Sequence, residues 1–425
     1  MARVLIISGI PFRNDTNLGK TLCTLFADIK KDDLAQVYFS PMTPNVDRCQ
    51  TYYRVDEKLL IKSLFGLIPY KCGKIINTVV DDKGKSVREA YKVASIKTNT
   101  SVILLRDLIW ACSVWINSKL KKWLNSFSPE VVFFILSDTQ RNYKLLKYVL
   151  RQFHVPVVVF VTDDYYHNPN DRSNTYISRR FKQLQREANS VKNNVSYVIG
   201  CSSLAAKEFG EIFNAPSETI LTPVAPKFLK MELCSQTNND EIVLRYFGNL
   251  GLGRWLILEQ LGKALEALRL KGYKAHLEIF SNISDTEIIN RLNIGSACFY
   301  KGWIQGEEFE RMLHTANIAV HVESFDDKMC KRTRLSVSTK IADYLGAGKC
   351  ILAIGKRELA SIQHIQNVAY TISNLNDLEK KLESLLQSSE TRYEMQRLAR
   401  EKAYNEHDIN VIPMRLKEIL NGVKY

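Results

Sequence analysis

The sequence has no apolar run near the roughly 20 residues that a membrane-spanning helix requires. Met1 to Ser8 runs directly into Val4-Leu5-Ile6-Ile7, which reads as a strand and is too short for the apolar part of a signal peptide. The expectation is a cytoplasmic protein. Nine cysteines are scattered singly with no Cys-x-x-Cys spacing, which argues against a disulfide framework and against a zinc site. Most of them read as small buried hydrophobes. Histidine is scarce, with seven residues and no cluster. No helix-turn-helix, zinc-finger or RNA-binding pattern is present, so nucleic acid is not expected as a partner. No internal repeat and no low-complexity segment is visible.

What is present is an ordinary globular composition, 45% hydrophobic and 24% charged, over 425 residues, which is room for two domains with a core each. The net charge of +14 points to anionic company, either an anionic membrane surface or phosphorylated substrates. Strand-like runs alternate with helical periods throughout, the pattern of an α/β protein with parallel sheets covered on both faces. Strands are expected at Arg3 to Ser8, Gln36 to Ser40, Glu130 to Ser137, Val155 to Thr162, Ser196 to Cys201 and Thr219 to Thr222. A second series follows at Glu241 to Phe247, Ala275 to Ser281, Ala297 to Lys301, Ile318 to Glu323, Cys350 to Ile354 and Asn367 to Thr371. Between the series lie the proline-bearing Thr222 to Pro226 and the polar Cys234 to Asp240, a linker by composition, so the boundary is placed near residue 225. The expected domains are 1–225 and 226–405, with 406–425 a terminal helix.

Two constellations carry phosphate chemistry. In Ser338-Thr339-Lys340-Ile341-Ala342-Asp343, Ser338 or Thr339 can cap a helix whose first amides face an anion. Lys340 adds a full charge there, and Asp343 lies one turn along the same face, within reach of a sugar hydroxyl. In Arg245 to Arg254 a strand breaks into Gly248, Asn249, Gly251 and Gly253 before a helix starts. Such a loop lets backbone approach a phosphate, and Arg254 can grip it bidentately. The same residues also fit a plain capped helix and a plain tight turn. In the first half, Ser8 to Lys20 follows the first strand, and Gly19 there would let the chain approach a ligand beyond the carboxyl end of the sheet.

The segment 338–355 resembles the nucleotide-binding helix of GT-B glycosyltransferases related to the retaining family-4 enzymes of bacterial surface polysaccharide synthesis, with Asp343 standing where the family has Glu. Residues 248–254 resemble the glycine loop of such enzymes. The resemblance implies two Rossmann-like domains facing each other across a cleft, with the C-terminal helix crossing back to the first. It implies transfer of a sugar, with retention, from a nucleotide diphosphate sugar to a saccharide or lipid-linked saccharide hydroxyl. Glu323 resembles the first carboxylate of the family's Glu-x7-Glu signature, which contacts the donor sugar, although an insertion rich in Lys328, Lys331, Arg332 and Arg334 alters the spacing. Asp163 and then His167 are the candidates for the residue that related enzymes place near the sugar and the incoming hydroxyl.

Arg254 and Lys340 would together neutralise the leaving diphosphate. The chain also lacks the Asp-x-Asp metal motif of the other major glycosyltransferase fold, because Asp163-Asp164 and Asp326-Asp327 are adjacent pairs that diverge on a strand. No metal ligand and no required cofactor are therefore expected. Lys58 to Ile68 mixes basic and apolar residues and is the candidate for contact with an anionic membrane, on the inner face of the cell membrane. Leu104 to Phe127, with Trp110, Trp115 and Trp123, reads instead as one core helix with snorkelling lysines. The rivals are a sugar-nucleotide epimerase and a non-catalytic scaffold on the same fold.

Overall fold

The computed structural model describes all residues except 65, 67–71, 78, 81–99, 168–174, 234–240 and 424–425. It divides into two compact units, Met1–Ile220 with Asn410–Tyr425, and Leu221–Ile409. The polar stretch Cys234 to Asp240, read above as a linker, lies outside the described residues.

The first unit is built on eight strands: β1 (Val4–Ser8), β2 (Leu34–Tyr38), β3 (Thr51–Val55), β4 (Gly73–Ile76), β5 (Val131–Ile135), β6 (Val157–Val161), β7 (Val195–Gly200) and β8 (Ser217–Thr219). Their order is β4-β3-β2-β1-β5-β6-β7-β8. All pairs are parallel except β3 with β4. Every residue of β1, β2, β5 and β6 is buried, as expected of parallel strands covered by helices on both faces. That is why β5 and β6 show as continuous apolar runs, and β1 as one that ends at Ser8. The pair β3 and β4 was not expected. Thr51-Tyr52-Tyr53-Arg54-Val55 and Gly73-Lys74-Ile75-Ile76 carry polar residues that an edge of the sheet leaves partly exposed, so no such run marks them. The strand expected at Thr219 to Thr222 ends at Thr219, because Leu221 to Ala225 carries the chain out of the sheet.

The single helix expected over Leu104 to Phe127 is instead two, Thr100–Ala111 and Ser118–Phe127, with a short 3-10 turn between them. Asn117 breaks the run by capping the second helix, accepting from the Leu120 amide. Trp110, Trp115 and Trp123 are buried, while Leu104, Leu105 and Leu108 are exposed. Glu57–Leu64 is helical with Leu60 buried and Leu64 exposed, whereas Phe65 and residues 67–68 lie outside the described residues. No helix among the described residues is long and apolar enough to cross a membrane.

The second unit has six strands, β9 (Ile242–Phe247), β10 (Ala275–Phe280), β11 (Cys298–Gly302), β12 (Ile318–Val322), β13 (Cys350–Ile354) and β14 (Tyr370–Ile372). They are all parallel, in the order β11-β10-β9-β12-β13-β14. The apolar face of helix Arg254–Leu270, Ile257, Leu261, Ala264, Leu265 and Leu268, packs into the core of this sheet. Lys349 is buried and donates to the carbonyls of His314 at 2.6 Å and Ala316 at 3.1 Å. It therefore serves the end of the helix Glu307–His314. The remainder of the unit is helical, through Leu378–Gln387 and Ser389–Glu406, and Ile412–Gly422 follows in the first unit.

In each sheet the connections reverse direction at one place, between β1 and β5 in the first unit and between β9 and β12 in the second. Open parallel sheets bind ligands beyond the carboxyl ends of the strands at such a reversal. The loops after β9 and β12 carry Arg254 and Glu323.

Candidate active site

The loop from Gly248 to Gly253 is held by its own hydrogen bonds. Tyr246 donates its hydroxyl to the Asn249 carbonyl at 2.7 Å, and the Gly251 amide donates to Asn249 Oδ1 at 2.5 Å. The predicted ligand residue Asn249 is thus engaged in shaping the turn. Leu252 and Gly253 follow with φ of 57° and 76°. For Leu252 this is a left-handed conformation that a branched side chain seldom adopts, and it costs local strain. At Gly253 a side chain would also lie 2.8 Å from Ser324 Oγ. Only glycine lets the start of the helix come down on the end of β12.

That approach brings two predicted residues together. The Arg254 guanidinium donates to the Glu323 carboxylate through Nε at 3.2 Å and through Nη2 at 3.0 and 2.9 Å. The Glu323 side chain is 4% exposed and that of Arg254 18%. Burial pushes the Glu323 carboxyl above the usual carboxylate range, and Arg254 opposes that shift. The Glu323 amide donates to the Ile354 carbonyl at 2.8 Å, fixing the residue to β13.

Sequence reasoning missed His321, which lies two residues before Glu323 on β12 and so on the same side of the strand. It is buried, its Nε2 has no hydrogen-bond partner, and that atom stands 3.7 Å from Glu323 Oε1. Burial first, and then the charge of Arg254, lower its pKa to about 3, so the imidazole is neutral. The alternation from Glu323 was the signal available. An apolar strand gave no reason to use it.

The helix predicted from Ser338 spans Thr339–Gly346. Ser338 occupies the cap position, but its side chain makes no capping bond, so the expected hydroxyl cap is absent there. Lys340 Nζ lies 5.4 Å from the centre of the Phe309 ring, and Asp343 is buried. The inserted basic residues form the short helix Asp327–Thr333, capped by Asp326, which accepts from the Met329 amide at 3.0 Å. Asp327 pairs with Lys356 at 2.5 Å. These two aspartates therefore lie at a helix start and not on a strand as expected.

In the first unit Asp163 and Asp164 also lie beyond their strand, β6. The residue that meets His167 is Asp164, which accepts from His167 Nδ1 at 3.0 and 3.1 Å and from its amide at 2.9 Å. Asp163 accepts instead from the Tyr165 hydroxyl at 3.3 Å. Asp164 was missed because the turn that follows β6, not the strand alternation, aims the carboxylate. At Gly19, in the first turn of the helix Asn17–Leu25, the space of a side chain is taken by Thr16 Oγ1 at 2.4 Å and the Arg13 carbonyl at 2.6 Å, so the glycine serves the packing of the helix start on the segment before it.

Among the described residues no group of three His, Cys, Asp or Glu side chains is placed to hold a metal ion.

A histidine pair lies elsewhere in the second unit, with His407 buried and His364 largely so. His364 and His407 face each other at 2.9 Å between their Nε2 atoms, and His407 Nδ1 lies 2.7 Å from the Thr222 carbonyl. Burial first, and then the neighbouring His407 and Lys402, lower the His364 pKa to about 3; burial also lowers that of His407. Folded histidines that stay neutral bind no proton where the unfolded chain does. Stability is therefore expected to be complete above about pH 6.5 and to fall as pH drops from there, each such histidine contributing about 1.4 kcal/mol per pH unit. Urea midpoints at pH 7 and pH 5 test this. The fall should be shallower in His364→Gln, and an equal fall in both proteins would show that the pair is not the cause.

Residues 237–420 match the family model described as glycosyl transferase-like. No curated protein matches the chain. Among solved structures, the α,α-trehalose-phosphate synthase (UDP-forming) of Burkholderia xenovorans in complex with glucose-6-phosphate is similar at 9% identity, with a TM-score of 0.62 over 99% of this chain and 100% of that one. An Escherichia coli structure described as trehalose-6-phosphate bound with UDP-2-fluoro glucose is similar at 9% identity, with a TM-score of 0.62 over 100% of both chains. Anabaena HepE in complex with UDP and glucose is similar at 10% identity, with a TM-score of 0.59 over 100% of both chains. Identity this low speaks to fold alone, and the fold is GT-B. The glycosyl transferase-like match covers less than half of the chain, most of it in the second unit, and the chain as a whole has the GT-B fold.

Proposed function

We propose that the second unit binds a nucleotide diphosphate sugar and that the chain transfers the sugar to a hydroxyl acceptor bound by the first. The observation that carries this reading is the convergence of Arg254 and Glu323 at the strand reversal of the unit that matches the glycosyl transferase-like family. Arg254 and Lys340 face the diphosphate, Asp343 the ribose and Glu323 the sugar. Gly248, Asn249, Gly251 and Gly253 with Ser338 and Thr339 shape the backbone around the phosphates. As the glycosidic bond breaks, the leaving oxygen gains charge, and cations already in place stabilise it without reorganising. In the first unit His167, oriented by Asp164, and Asp163 serve the sugar and the incoming hydroxyl, and Gly19 lets the chain after β1 approach the donor phosphates. Retention of configuration follows from the likeness to family-4 enzymes.

The acceptor in this reading is a lipid-linked or growing surface saccharide, met at the inner face of an anionic membrane. Supporting this are the charge of +14 and the exposed Leu64, Leu104, Leu105 and Leu108, since apolar surface facing water marks sites of contact. Domain limits of 1–225, 226–405 and 406–425 belong to the same reading.

Thermal denaturation against a panel of UDP-, GDP-, ADP- and dTDP-sugars tests the donor. One nucleotide class is expected to raise Tm, because a ligand at 100 times its Kd stabilises the folded state by about 2.7 kcal/mol. No shift with any of them overturns the reading. Transfer is further expected to persist in EDTA, with Arg254 and Lys340 doing the work of a divalent ion. Abolition by EDTA with rescue by Mg²⁺ or Mn²⁺ counts against this site.

A further inference from the structure

The three bonds from Arg254 to Glu323 occupy Nε and Nη2, one of the two edges by which a guanidinium can grip a phosphate bidentately. A diphosphate gripped by that edge must therefore displace Glu323. The carboxylate cannot turn to solvent, because its side chain is 4% exposed and its backbone is tied to β13. A buried carboxylate that loses its cation is costly unless another donor receives it. One donor is in place. His321 is buried, its Nε2 is unpartnered, and it stands 3.7 Å from Glu323 Oε1, less than 1 Å beyond hydrogen-bonding distance.

We infer that Arg254 is shared between Glu323 and the incoming diphosphate, and that His321 is the positioning residue that takes over Glu323 when the diphosphate takes the guanidinium. His321 acts in the tautomer with its proton on Nε2, so it satisfies the carboxylate as a neutral donor and adds no charge beside the two cations. The exchange makes the empty site self-neutralised and sets Glu323 toward the sugar only once the diphosphate is seated. This rests on the donor-site reading above.

The experiment is calorimetric titration of the full chain with inorganic pyrophosphate, a probe that carries neither base nor sugar. Glu323→Gln is expected to bind it several-fold more tightly than the parent, because an amide holds Arg254 less firmly. His321→Leu is expected to bind about tenfold more weakly, the loss of one hydrogen bond to a charged group. His321→Gln, which keeps a donor near the Nε2 position, should restore most of that. In the Glu323→Gln background His321→Leu should change nothing, since no buried charge then needs a donor.

Equal weakening by His321→Leu in both backgrounds overturns the exchange, as does a Glu323→Gln protein with unchanged affinity. The Glu323→Gln arm stands alone if His321→Leu does not fold. Pyrophosphate binding that depends on Arg254 but shows no coupling between 321 and 323 removes the exchange and leaves the donor site standing. No binding by the parent chain removes both.

Discussion

Arg254→Ala and Lys340→Ala are each expected to lower sugar transfer by roughly 10²–10³-fold, the usual loss when one preorganised electrostatic group is taken from a transition state. Both place positive charge where the leaving diphosphate gains negative charge, so kcat should fall along with donor affinity. A variant with near-normal turnover and an intact fold would remove that residue from the site. Arg254→Ala should also lose stability. Removing Arg254 leaves Glu323 buried beside a neutral histidine, at a cost of about 3 kcal/mol.

The sign of the pH dependence separates the two effects. Without Arg254 nothing opposes the burial that raises the Glu323 carboxyl, so the folded state takes up a proton as pH falls. The stability lost in Arg254→Ala should therefore shrink between pH 8 and pH 5 relative to the parent. Arg254→Ala with Glu323→Gln should recover most of the stability and none of the transfer. Urea denaturation and initial rates on the same three proteins decide both points.

Asp343→Ala is expected to weaken binding of the free nucleotide diphosphate by about 1.5–3 kcal/mol, the size of a hydrogen bond to a charged group. Asp343 is buried within the helix that begins at Thr339. Asp343→Asn, which keeps its shape, controls for packing. Glu323→Ala should behave in the opposite way, with nucleotide affinity kept or raised and transfer lost, because its carboxylate serves the sugar and competes for Arg254. Calorimetry of both variants with the nucleotide that stabilises the parent checks this. Equal losses in the two, or none in Asp343→Ala, would show that the two carboxylates have each other's role.

The sequence by itself determined the α/β class, the buried parallel strands and the residues capable of phosphate chemistry. Fully buried parallel strands are apolar at most positions, so β1, β5, β6, β12 and β13 could be found without coordinates. The glycines before Arg254 were legible for a similar reason, since few residues tolerate a turn that tight. Strands β3 and β4 were not legible, because an edge tolerates polar residues and leaves no apolar run. The helix break at Asn117 turned on a capping bond that a hydrophobic count does not see.

Only the tertiary structure decided the partnerships. Arg254 and Glu323 are 69 residues apart and meet because β9 and β12 are neighbours at the reversal of the sheet. His321 matters only because that meeting buries a carboxylate beside it. Asp164 rather than Asp163 orients His167 because the chain turns after β6. Local pattern specifies which residues can do chemistry, but the order of strands in a sheet is a long-range packing outcome, and that order chooses which of them touch.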